Sequence, residues 1–123
     1  MQVKTSTKEK FHVISIVEPV LSADMTGDID ELLLPYLQND VKNIILNLKE
    51  LQSLDAGMAE KLVKLQQNFY ENNSSFVICE TSKEIDAFLD SQGLLEIMNI
   101  TPTESEAWDI IQMEEIERDL LDG

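Results

Sequence analysis

The run Ile44-Ile45-Leu46-Asn47-Leu48 constrains this chain more than any other segment, because it offers a strand no polar face. Side chains alternate across a strand, so a run apolar at nearly every position needs a covering layer on both faces, as parallel strands have. Ser53-Leu54-Asp55-Ala56-Gly57-Met58 and a long amphipathic stretch follow. The pattern predicts a buried strand over residues 42–49 that delivers Asp55 to the N-terminus of a helix over about 56–70. At such a junction Asp55 can cap free backbone N–H groups, and the first helical turn forms one exposed surface with the end of the strand.

The rest of the chain alternates in the same way. Residues 2–7 and 11–17 read as an opening hairpin around Lys8-Glu9-Lys10, and Pro19 keeps Val20 and Leu21 out of a central strand. Met25 to Gln38 reads as one helix with Ile29, Leu32, Leu33, Tyr36 and Leu37 at helical spacing. In the next helix Met58, Leu62, Leu65 and Phe69 form the inner stripe, widened by Ala59 and Val63, and Asn72-Asn73 stops it. Phe76 to Cys79 is a short apolar strand, and Thr81-Ser82-Lys83-Glu84 reads as a capping box for a helix that ends near Gly93. Leu94 to Ile100 is expected as the last strand. Thr101-Pro102-Thr103-Glu104 then combines a cap, a proline at the first helical position and a Glu three residues after the cap. Strands separated by helices predict an α/β fold with a mixed, mostly parallel sheet of about five strands and about four helices. With 123 residues, one domain over 1–123 is expected, with an acidic C-terminal helix over about 104–121.

Charge narrows the partners. Of the net −15, residues 80–123 supply −11, from 13 Asp/Glu against Lys83 and Arg118. Such a field repels nucleic-acid backbones and anionic membrane surfaces, and it either steers basic protein surfaces inward or simply keeps the protein in solution. Met1 to Lys10 are too polar for a signal peptide, no run approaches membrane-spanning length, and the lone Cys79 lies in an apolar run. These features predict a cytoplasmic protein with a buried, unpaired thiol.

Taken together, Leu21-Ser22-Ala23-Asp24, the Asp55-Ala56-Gly57 junction, and Ser82-Lys83-Glu84-Ile85 through Ser91-Gln92-Gly93-Leu94 resemble the STAS family of sulfate transporters and anti-sigma factor antagonists. The similarity runs from about Phe11 to Ile111. The resemblance implies a single STAS-like domain that acts by binding proteins. In the antagonists a Ser directly after the Asp is phosphorylated by the anti-sigma factor, a serine kinase of histidine-kinase-like ATPase fold. The unphosphorylated domain binds that kinase and frees the sigma factor. Here the position holds Ala56, so the usual phosphoswitch lacks its acceptor; Ser53 is the nearest hydroxyl upstream. The partner-binding residues so implied are Asp24, Asp55, Ala56, Gly57 and Met58. The resemblance also implies, as an alternative, a scaffold domain in a transport-associated assembly; nucleotide binding is a third reading.

Little in the sequence suggests catalysis or a cofactor. His12 is the only histidine and stands in a strand-like run with no nucleophile beside it. The cluster Asp24, Asp28, Asp30 and Glu31 fails as a calcium loop, since counting from Asp24 puts Ile29 where Gly is needed and Pro35 where Glu is needed. No metal site is expected. The C-terminal run from Glu114 to Asp122 reads as a solvated or self-docked helix face, but Met113, Ile116, Leu120 and Leu121 also suit docking on a partner or a homodimer.

Overall fold

A computed structural model describes residues 1–122. The chain opens with β1 (Val3–Thr7) and β2 (His12–Ile16), an antiparallel hairpin. Then come β3 (Val20–Leu21), α1 (Thr26–Leu33), β4 (Ile44–Asn47), β5 (Ser53–Leu54) and α2 (Ala56–Glu71). The remainder is β6 (Phe76–Cys79), α3 (Lys83–Ser91), β7 (Ile100–Thr101) and α4 (Glu104–Asp122). Five strands form the main sheet in the order β1-β2-β4-β6-β7, parallel except for β1. The expected mostly parallel α/β architecture is therefore the observed one.

Both sheet faces are covered, as the apolar β4 required. One carries Ile14, Ile16, Ile44, Leu46, Phe76 and Ile78 against Ile29 and Leu33 of α1, the Met58 to Phe69 stripe of α2, and Ile85 and Leu89 of α3. The other carries Val13, Ile45, Val77 and Cys79, and α4 alone covers it through Ala107 and Ile111. Beside these, Phe11 and Trp108 stack with ring centroids 4.6 Å apart. Burying Ile111 fully contributes about 1.5–3 kcal/mol to holding α4 down.

Several elements differ from the sequence expectation for identifiable reasons. The helix expected over Met25 to Gln38 is a 3₁₀ turn (Ala23–Met25), then α1, then a second 3₁₀ turn (Leu34–Gln38). Pro35 explains the second break, since it lacks the N–H that would bond back to Glu31 and its ring crowds that carbonyl. The strand expected over Leu94 to Ile100 is reduced to β7. Gly93, at φ 70°, ends α3, and Leu94 and Leu95 join the core from a tight turn in which the Ile97 and Met98 N–H groups donate to the Leu94 carbonyl. The caps of α3 and α4 sit later than expected. Ser82, not Thr81, accepts the Ile85 N–H, while Thr103 accepts the Glu106 N–H and Thr101 belongs to β7.

Candidate functional site

Asp55 is not delivered by β4. That strand ends at Asn47, a turn closes from the Leu51 N–H to the Leu48 carbonyl, and Leu48 and Leu51 are buried beneath it. The chain then forms β5, which pairs in parallel with β3 in the register Val20↔Ser53 and Leu21↔Leu54. This two-residue ladder brings the turn after β3 against the start of α2, joining parts of the chain more than thirty residues apart.

The Asp55 carboxylate holds that junction. Oδ1 accepts the Met58 N–H at 2.9 Å and so caps α2, and Oδ2 accepts the Ala23 N–H at 2.8 Å across the junction. Charge-assisted bonds of this kind favour the ionised form. The Met58 and Ala23 amides accordingly hold the Asp55 carboxyl below its ordinary value of 3.8, with the Gly57 amide adding to the effect. Asp55 also donates its own N–H to the Leu21 carbonyl at 3.3 Å. The expected capping role of Asp55 is thus observed, together with a second tie that the sequence did not suggest.

The other predicted residues divide by what they touch. Asp24 is exposed in the turn that Asp55 grips and accepts the Ser22 hydroxyl; it does not cap α1, whose N-cap is Met25 with no side-chain cap bond. Ala56 is half-buried in the first turn of α2. Gly57 packs on Ala23 so closely that no side chain fits there without movement. Met58 corrects the expectation of an exposed first turn, because its side chain is wholly buried in the core and only its backbone serves the junction. The accessible patch is therefore Asp24, Asp55 and Ala56, with Val20 48% exposed and Ser53 exposed nearby on the paired short strands.

His12 and Asp30, considered for catalysis and metal, are engaged with other groups. His12 lies buried against Tyr36, with Nε2 3.0 Å from the Val41 carbonyl and Nδ1 3.0 Å from the Thr7 hydroxyl. A carbonyl only accepts, so Nε2 carries the proton and Nδ1 accepts from Thr7 in the neutral ring. Asp30 pairs with Lys61 at 2.8 Å, tying α1 to α2. Among the described residues no group of three His, Cys, Asp or Glu side chains is placed to hold a metal ion. The Cys79 thiol is pushed up to about 12 by burial, with Glu104 and Glu80 adding repulsion. That keeps it a neutral packing group.

Sequence reasoning missed two features. Gln66 on α2 donates from Nε2 to the Phe76 and Asn99 carbonyls at 3.1 and 3.0 Å and accepts the Asn99 N–H at 3.0 Å. It thereby ties α2 to the segments of β6 and β7. The acidic face of α4 is also partly docked, with Glu104, Glu114 and Glu115 accepting from Asn47, Asn99 and Asn43, and Arg118 donating to Ser75. Interior amides at strand ends were the available signal.

A five-stranded mixed sheet with three helices on one face, one on the other, and an acid-capped helix start beside a short parallel ladder defines an α/β fold with one built junction. The STAS domain family model matches residues 2–107, and the chain belongs to that family. No curated protein sequence matches it. An anti-sigma-factor antagonist (STAS) domain protein from Planctomyces limnophilus is similar in structure at 18% identity and TM-score 0.74, covering 89% of this chain and 97% of that one. The anti-sigma factor antagonist SpoIIAA in its unphosphorylated form is 18% identical with TM-score 0.68, covering 90% and 96%. The murine anion transporter Slc26a9 matches at 12% identity and TM-score 0.70, covering 85% of this chain and 18% of that one. The chain is thus a STAS domain with the fold of anti-sigma factor antagonists. No described helix is long and apolar enough to cross a membrane.

Proposed function

We propose that this domain is a non-catalytic, cytoplasmic protein-interaction module that binds a kinase-type anti-sigma factor in bacterial partner switching. The observation that carries the reading is the α2 start on a STAS fold, where the capping Asp55 is exposed and the half-buried residue after it is Ala56. The side chains offered to the partner are Asp24, Asp55 and Ala56, while Gly57 and Met58 hold the surface in place from beneath. Because alanine has no acceptor oxygen, phosphorylation at this position is impossible and the domain stays in the binding-competent form. Control then falls on the partner's abundance or on another site.

A second reading, a scaffold domain in a transport-associated assembly, is supported by the likeness to the anion transporter Slc26a9, of which this fold makes up under a fifth. Affinity capture of the tagged full chain from its native host, with the eluted partner identified by mass spectrometry, separates the two. Recovery of an ATPase of histidine-kinase-like fold supports the first reading. Recovery of a transporter subunit favours the second.

A further inference from the structure

Helix α4 has one face the fold uses and another it leaves free. At about 100° per residue, Met113, Ile116 and Leu120 point within about 40° of the direction opposite the buried Ile111. They are 56%, 60% and 76% exposed. The helix is not free to roll and hide them. Its ties from Glu104 to Asn47 (2.7 Å), Glu114 to Asn99 (3.0 Å), Glu115 to Asn43 (2.7 Å) and Arg118 to Ser75 (3.1 Å) all lie on the sheet-facing side.

The spacing of Met113, Ile116 and Leu120 is that of successive core positions in a heptad, and Glu117 and Asp119 take the flanking places that choose a partner by charge. Asp109, the core position one turn earlier, ends the apolar run at Met113. The single cation of α4, Arg118, is turned toward Ser75 on the other side. This leaves an apolar seam whose charged borders are carboxylates.

We propose that this seam docks an amphipathic helix of a partner protein whose apolar edge is bordered by Lys and Arg. A second copy of this chain is a poor occupant, because two α4 helices would line both edges of the seam with carboxylates on chains of net charge −15 each. A basic border turns the same positions into attraction and raises the rate of encounter. The surface is separate from the α2 junction. α4 starts beside Asn47 at the end of β4 and runs back past Asn43 and Ser75 at the strand starts, so the seam lies toward the end of the molecule away from Asp55.

The test uses the full chain and two labelled synthetic helices, both with Leu at the core heptad positions, one with Lys and one with Glu at the flanking positions. Wild type should bind the Lys peptide and not the Glu peptide. Ile116→Ser/Leu120→Ser should weaken that binding at least about tenfold with unchanged melting, since both side chains are already exposed. Glu117→Lys/Asp119→Lys should reverse the peptide preference, and Ala56→Glu should leave it unchanged. Equal binding of the Lys peptide by wild type and the Ser double variant would reduce the effect to general charge attraction and overturn the proposal. So would failure of wild type to bind the Lys peptide, or sedimentation showing a wild-type dimer that the Ser variant abolishes.

Discussion

A Cβ placed on Gly57 would stand 2.7 Å from the Cβ of Ala23. Carbon atoms in contact keep about 3.5–4.0 Å, so α2 and the turn after β3 meet at a distance only glycine permits. The Asp55 carboxylate closes the same contact from the side through the Ala23 N–H.

Gly57→Ala should therefore destabilise the domain by about 1–3 kcal/mol, the usual cost of overpacking, even though alanine is the better helix former. Ala23→Gly in the same chain should recover most of the loss. Gly27→Ala, with nothing within 4 Å of the added carbon, serves as the control and should be neutral or mildly stabilising. Denaturant melts of the four proteins measure this directly.

Asp55→Asn should lower the melting temperature at neutral pH, because one amide oxygen cannot replace two carboxylate oxygens that serve Met58 and Ala23 separately. The pH dependence has a definite sign. The folded carboxyl is held below 3.8, so its contribution is fully present well above that value and is lost as pH falls through the depressed folded value. Melting temperatures of wild type and Asp55→Asn should differ at pH 7 and converge in strong acid.

Gln66→Leu should cost about 1–3 kcal/mol despite its apolar gain, because it leaves the Phe76 carbonyl and both Asn99 backbone groups without their side-chain partner. Gln66→Glu keeps the acceptor for the Asn99 N–H but loses both donated bonds, so it should rescue little. Urea denaturation reads both, and hydrogen exchange of the Asn99 amide should rise in Gln66→Leu, which removes its acceptor, and less in Gln66→Glu, which keeps it.

What the sequence made legible follows from how far each signal reached. The β4 run, the α2 stripe and the Phe76–Cys79 strand were readable because periodicity or continuous apolarity acts over several residues. The capping of α2 by Asp55 was readable because Asp before a helical run is a local device. The β3–β5 ladder was not, since two residues on each side carry no pattern, and its partners are distant in sequence. Met58 joins the surface set only through the resemblance, whereas its place in the α2 stripe marks it as core, which is where it lies. Gly57 is legible as part of the Asp55-Ala56-Gly57 motif, but its need for Ala23 is not, because that is a tertiary contact.

On the proposed function, the α2 start meets the partner and Ala56 leaves that surface without a phosphoswitch. Titration of the captured anti-sigma kinase with wild type and Ala56→Glu, before and after incubation with ATP, tests it most directly, with intact-mass measurement and thermal melts on the same samples. Glu is tolerated in a first helical turn, so melting should be nearly unchanged. Binding should fall at least about tenfold, because the added charge must be desolvated or meet like charge in the interface. ATP should leave the wild-type mass and affinity unchanged. Equal affinity of the two proteins, or stoichiometric phosphate on Ser53 that releases the kinase, would contradict the account.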